Sequence, residues 1–318
     1  MKQGRVFSML AIGMLVGGAS GASGQGAEML VSGCLSGAAV ARIWCEEVAV
    51  ATQALRAGVG FVGAGGTDVP GTSSTLGKKL GSVPRVSASV RATLGRLKSP
   101  RVTGVSRPDV DDQTLWVPTI QGSIVVSVLD GFSVVPSVGG LFALDLLATA
   151  SYLRLPSEFG DNAGTIGVGA RLGLLRESFT APGLSVSVVH RGFGEATYGD
   201  RTRDNAEITF DLSTTSVRAI VGKDLPLIGF FAGVGWDWHR GNMSLRTIAP
   251  GGGVSTATGD FTDRRRVYFG GTSWSFLVLQ GSIEAGWSSG FGDLQGRSGD
   301  FSASSRPFFA SAALRVTL

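Results

Sequence analysis

Phe308-Phe309-Ala310-Ser311-Ala312-Ala313-Leu314-Arg315-Val316-Thr317-Leu318, the last eleven residues of the chain, alternate without a slip. Phe308, Ala310, Ala312, Leu314, Val316 and Leu318 share one face; Phe309, Ser311, Ala313, Arg315 and Thr317 share the other. Side chains of a strand point to opposite faces with period two, so an apolar face opposite one that carries Arg315 fits lipid outside and a polar lumen inside. One such strand also suits a soluble sheet, but here the pattern recurs. Val86, Ala88, Val90, Ala92 and Leu94 oppose Arg85, Ser87, Ser89, Arg91 and Thr93. Phe142, Leu144, Leu146, Ala148, Ala150 and Tyr152 oppose a face with Asp145, Thr149 and Ser151. Ile166, Val168, Ala170, Leu172 and Leu174 oppose Gly167, Gly169, Arg171 and Gly173, and Leu184, Val186 and Val188 oppose Ser185, Ser187 and Arg191. The bilayer core holds no water to satisfy open backbone groups, so strands with a lipid face must close on themselves. The fold class is all-β: a transmembrane antiparallel β-barrel preceded by a short N-terminal helix.

Strand candidates run over 85–98, 114–130, 139–155, 164–177, 183–195, 206–223, 227–243, 262–279, 281–291 and 304–318, which makes ten. A further hairpin from residues 58–80 would make twelve. A phase change between Leu212 and Val217 suggests a β-bulge. Trp116, Tyr152, Phe210, Tyr268, Trp274, Trp287 and Phe308 are candidates for interfacial aromatic girdles.

The other end of the chain gives an address. Lys2 and Arg5 precede an apolar run over 6–16 and a small-residue region over 17–26, the form of a secretory signal peptide. Cleavage is expected after Gly24, with Ala19-Ser20-Gly21 a close alternative and Val31-Ser32-Gly33-Cys34 a possible lipobox. Residues 1–24 are then signal, 25–84 a periplasmic or plug segment, and 85–318 the barrel. Within the middle segment, 38–56 is rich in Ala, lacks Gly and Pro and reads as a helix that Gly58 stops; a Gly-rich thread follows. Cys34 and Cys45 are the only cysteines. In an oxidising periplasm they are expected to form a disulfide, provided the chain turns near Ser36 and Gly37; on one unbroken helix they would lie about 16 Å apart and stay thiols.

Composition limits the function. The chain of 318 residues has 49 Gly, 43% hydrophobic and 16% charged residues and a net charge of +4, with arginines scattered rather than clustered. Nucleic-acid binding is unsupported. His190 and His239 are the only histidines, too few with two cysteines for a structural metal site, and no phosphate-cradling loop or cofactor motif is present.

Residues 85–318 resemble Gram-negative outer-membrane barrels. That resemblance implies export through the periplasm and outer-membrane lipid or lipopolysaccharide as surroundings. It also implies that Phe308, Leu314, Val316 and Leu318 form the carboxy-terminal signal read by the barrel-assembly machinery, with Leu318 where an aromatic is usual. The helix and thread are loosely similar to the amino-terminal hatch of long-chain fatty-acid transporter barrels. Arg85, Arg91, Arg171, Arg191 and Arg315 share inward parity with Asp145, Asp237 and Glu284, a modestly basic lumen that favours anions. The leading expectation is therefore a passive channel or small-molecule transporter with a partly plugged lumen; a structural or adhesive surface barrel is the alternative. The basic run Arg264-Arg265-Arg266 reads as a solvated rim that touches lipid phosphates. A third reading rests on Asp109 and Asp111 in the first long loop and Asp237 and His239 near the top of the seventh strand. Their spacing is similar to that of omptin-type outer-membrane proteases, which implies Asp237 orienting His239 as general base while Asp109 and Asp111 hold a water.

Overall fold

The computed structural model describes residues 31–33, 42–77, 84–101, 109–132, 140–178, 181–199, 206–248, 254–289 and 306–318. Ten strands form one closed antiparallel barrel in which every strand pairs with its neighbours in sequence and β1 pairs with β10. They are β1 (Val86–Arg101), β2 (Asp109–Leu129), β3 (Ala143–Leu153), β4 (Ala163–Leu175), β5 (Gly183–Tyr198), β6 (Ala206–Asp224), β7 (Ile228–Ile248), β8 (Val254–Phe276), β9 (Leu279–Ser288) and β10 (Phe308–Thr317). The seam runs from Ser87 against Thr317 to Arg96 against Phe308, so the terminal alternation is that of the closing strand. Closure leaves no unpaired edge, the condition a sheet must meet in lipid.

Alternation fixes the two faces. Val90 is 60% exposed and its neighbour Arg91 3%; Ile120 is 61% exposed and Gln121 8%. Apolar residues thus face outward and polar ones inward. Tyr152, Trp116, Phe308, Tyr268 and Trp287 point outward, with Tyr268 stacked on Trp287 at 5.9 Å between ring centroids. Phe210 is buried on the inner face and belongs to no girdle. We call the mouth where β1 begins and β10 ends the lower one. Its rim is apolar, with Phe132, Phe142, Leu225, Leu227, Phe276 and Leu277 exposed. Toward the upper end the outer face of β7 and β8 becomes polar, with Arg240, Asn242, Asp260, Arg264 and Arg266 exposed. Several strands reach further up than the sequence pattern predicts: β2 begins at Asp109, β7 continues to Ile248 and β8 begins at Val254. These extensions lie above the apolar band, where solvent on the outside removes the hydrophobic alternation that marks a strand.

The lumen is occupied. Helix α1 (Arg42–Ala64) and the thread that follows it lie inside the barrel. Depth follows from contacts with β1: Gly58 lies against Leu97 and Val62 against Gly95, the Gly65 carbonyl accepts from Arg91, and the Leu76 carbonyl accepts from Arg85 at the lower mouth. At the upper end Gly33 abuts Ala257 of β8. The helix of 23 residues, about 34 Å at 1.5 Å per residue, covers much of a bilayer's depth. The twelve-strand option falls, because residues 58–77 are helix and thread rather than a hairpin.

Two further expectations need correction. The helix does not end at Arg56 or stop at Gly58, and residues 38–41 of the expected span lie outside the described residues. It runs through Gly58, Gly60 and Gly63 and ends before Gly66, whose φ of 87° is the left-handed conformation that favours glycine. Glycine costs a helix interior about 1 kcal/mol relative to Ala, yet here no side chain fits. A Cβ at Gly60 would lie 2.6 Å from His239 Nδ1, and one at Gly63 2.6 Å from Phe193 Cε1. The helix is shaved where it touches the wall. Nor does β6 bulge between Leu212 and Val217; its inner face runs unbroken through Leu212, Thr214, Ser216 and Arg218, and the irregularity lies in β5 between Phe193 and Ala196. The apparent phase change is a change in the chemistry of the inner face, from apolar Phe210 and Leu212 to polar Thr214, Ser216 and Arg218.

The close fit at Gly60 is testable. Gly60→Val should lower the stability of the folded barrel by about 1–3 kcal/mol through overpacking. Gly122→Ala, where nothing lies within 4 Å of the added carbon, should leave it unchanged. The temperature at which the compact gel band is lost reads both.

Candidate functional site

The inner wall has two storeys. The upper one is mostly apolar: Val48, Leu55, Val59 and Phe61 of α1 pack against Leu97, Val117, Leu153, Phe210, Leu212 and Met243 of the wall. Phe61 meets Phe309 edge-on at 5.6 Å. The lower storey is charged. There the thread over 65–77 passes a ring of inward polar groups, and most of its links to the wall are hydrogen bonds.

Arg91 Nη1 donates to the Gly65 carbonyl at 3.0 Å, and its Nη2 donates to the Thr67 carbonyl and hydroxyl. Glu284 accepts from the Thr67 amide at 2.9 Å and from its hydroxyl at 2.9 Å. Arg171 Nη2 donates to the Thr72 carbonyl at 2.9 Å and Gln280 Nε2 to the Gly71 carbonyl at 2.9 Å. Asp145 accepts the Leu76 amide at 3.0 Å. The extended thread exposes its backbone groups, and wall side chains satisfy them as strands do in a ladder.

Two ion pairs sit at the centre. Arg218 Nη1 lies 2.7 Å from Asp237 Oδ1, its Nη2 donates to Asp237 Oδ2 at 3.0 Å, and Nη2 also donates to the Ala64 carbonyl at 3.1 Å. Asp68 belongs to the thread: its Oδ1 accepts from Arg191 Nη2 at 2.6 Å and its Oδ2 accepts from the Ser187 hydroxyl. Arg191 Nη1 donates to Ser216 Oγ at 3.2 Å, which holds the guanidinium in place. Higher up, Arg265 Nε donates to Asp263 at 2.8 Å and Arg56 of the helix donates to the Gly241 carbonyl at 3.1 Å.

Arg91, Asp145, Arg171, Arg191 and Glu284 are thus buried wall groups, and Arg315, partly buried, donates to Gln280. Arg85 is exposed at the lower mouth rather than inside. Sequence reasoning missed Arg218, Arg265 and the plug's own Arg56 and Asp68. Parity held the signal for Arg265: alternation splits the basic run, so Arg265 turns inward while Arg264 and Arg266 face out, with Arg264 5.5 Å from the Trp238 ring centre. Arg218 needed the unbroken phase of β6.

The aspartate and histidine of the protease reading lie on the inner face of the wall. His239 and Asp237 both face inward and are fully buried, His239 against Gly60 of the helix with its Nδ1 2.9 Å from Thr214 Oγ1, while Arg218 takes both oxygens of Asp237. The side chains of Asp109 and Asp111 lie outside the described residues. So do residues 1–24 and Cys34; Cys45 is fully buried. Phe308, Leu314, Val316 and Leu318 face outward. Among the described residues no cluster of His, Cys, Asp and Glu is placed to hold a metal ion, and no helix is long and apolar enough to cross a membrane. A hollow of about 850 Å³ beside Leu94, Ile120, Tyr152, Ile283 and Ala312 lies on the lipid-facing wall.

No family model and no curated protein matches the sequence. Among solved structures, the transport unit of the autotransporter AIDA-I from Escherichia coli is similar at 9% identity, over 84% of this chain and 98% of that one, with a TM-score of 0.42. The outer membrane protease OmpT from Escherichia coli gives 10%, 74%, 96% and 0.38, in the same order. The Pseudomonas putida toluene transporter TodX gives 11%, 77%, 94% and 0.30. At these identities and scores the likeness assigns no activity; the architecture rests on the closed barrel itself.

The Arg218–Asp237 pair gives a stability test. Arg218→Met leaves a buried carboxylate uncompensated and should cost about 3–5 kcal/mol in urea unfolding from lipid vesicles, while the added change Asp237→Leu should recover most of the loss.

Proposed function

We propose that the protein is an outer-membrane channel for small anions, held shut by its own N-terminal segment. The observation that carries this reading is the charge of the wall facing the plug. Inward Arg91, Arg171, Arg191, Arg218, Arg265 and Arg315 outnumber inward Asp145, Asp237, Asp263 and Glu284. A purely structural barrel has no need of an excess of buried cations, which are costly to desolvate. An anion pathway does, because rings of Arg select anions by their potential. Apart from Val69 and Leu76, which pack on Val125 and Leu147, the links between thread and wall among the described residues are hydrogen bonds and one ion pair, which water and a solute can replace as the thread leaves.

In this reading the protein is exported by a signal peptide within residues 1–24 and inserted by the barrel-assembly machinery through the outward face of β10. It sits in the outer membrane of a Gram-negative-type cell with its lower mouth toward the periplasm. Arg240, Arg264 and Arg266, outward and above the aromatic band, would contact lipopolysaccharide phosphates. A bond between Cys34 and Cys45 would brace the segment at the upper end of the helix. The runner-up, a surface barrel without conductance, draws on the completeness of the plug's packing.

Planar-bilayer recording separates the two. The full chain should be silent, and the barrel without residues 25–82 should show steps with a reversal potential that favours chloride over potassium. Silence from a truncated barrel that retains its compact gel band would overturn the channel reading.

A further inference from the structure

Arg191 differs from the other ion-paired cations of the wall in where its countercharge comes from. Arg218 is matched by Asp237 of the adjacent strand, and Arg265 by Asp263 of its own. Among the described residues the carboxylate that pairs with Arg191 is Asp68, which belongs to the thread, 123 residues away in sequence. The wall supplies every other part of that site. Ser187 on the same strand donates to the second oxygen, and Ser216 on β6 aligns the guanidinium. Arg191, Ser187 and Ser216 are each about 1% exposed or less.

We infer that Arg191, Ser187 and Ser216 form a carboxylate-binding subsite in the wall of the lumen, which Asp68 occupies as an internal mimic of a small carboxylate solute. The inference rests on the channel reading above and names the solute class for it. The geometry favours a carboxylate over other anions. One oxygen takes a guanidinium N–H and the other a hydroxyl, a two-point hold on a planar group. A halide is one spherical acceptor and lacks the planar pair of oxygens on which these two donors close. Thread withdrawal would leave Arg191 without its countercharge in a water-filled lumen, where an entering carboxylate can take the place of Asp68. The plug and the solute therefore compete for one position, so that a carboxylate bound there favours the open form.

Chemical rescue tests the subsite in the full chain without requiring the plug to move. Asp68→Ala removes the carboxylate and leaves a space of its size. The variant should lose its compact gel band at a markedly lower temperature than the parent, and acetate or formate should restore much of that loss. Chloride at equal ionic strength should not. In Asp68→Ala/Arg191→Gln the same acetate should have no effect. Asp68→Ser, which keeps a hydroxyl toward Ser187, carries the identical test should the alanine protein fail to fold. No rescue, equal rescue by chloride, or acetate rescue that survives Arg191→Gln would each overturn the subsite. Acetate rescue with a silent truncated barrel would keep the subsite and sink the channel; a conducting barrel without rescue would do the reverse.

Discussion

Buried guanidinium groups dominate this molecule's interior. Arg56, Arg171, Arg191, Arg218 and Arg265 are among the largest fully buried side chains, in a barrel whose outer face is turned to lipid. Each removes a charge from water, a penalty that only a countercharge or several acceptors can offset. The wall alone provides some of those acceptors, and the thread provides the rest as carbonyls and one carboxylate. The plug is thus the missing half of the wall's hydrogen bonding rather than an object placed in an empty pore.

That constraint explains the division into storeys. A helix satisfies its own backbone and can line an apolar tube, so α1 lies where the wall offers Leu, Val, Phe and Met. An extended thread has unsatisfied backbone groups and needs polar neighbours, so it lies where the wall offers Arg, Glu, Asp and Gln. The wall's inner face turns polar beside the last turns of the helix, and Arg218 of β6 reaches the Ala64 carbonyl at its end. Within β6 the change falls between Leu212 and Thr214.

Much of the barrel was legible because lipid imposes a strict rule. Wherever a strand crosses the apolar band, as in β10 and β3, the period-two pattern gave strand and facing together. The rule lapses in two places. Above the band, where Arg240, Asn242 and Asp260 face water, strand extensions look like loops. Inside, the wall facing the helix is apolar, so Phe210 and Leu212 mimic an outward face and create a false bulge. The candidate site was half legible: parity exposed Arg91, Arg171 and Arg191, but no local pattern announces that Asp68, in a Gly-rich stretch far upstream, reaches Arg191. The helical glycines misled for a related reason. Their meaning lies in His239 and Phe193, which only the closed barrel brings near.

The described ends of the plug lie toward opposite mouths, Gly33 beside Ala257 above and Leu76 beside Arg85 below. The barrel is therefore a nut on a bolt of its own chain. A nut cannot come off sideways while the ladder between Ser87 and Thr317 is closed, so residues 42–77 can move only along the axis, tethered at β1. Assembly faces the same geometry in reverse. Either β10 zips onto β1 around a segment already in place, or the segment is drawn through a finished ring. In the first order the wall's arginines meet their partners as the ring closes, and no intermediate has to hold them bare in a sealed lumen.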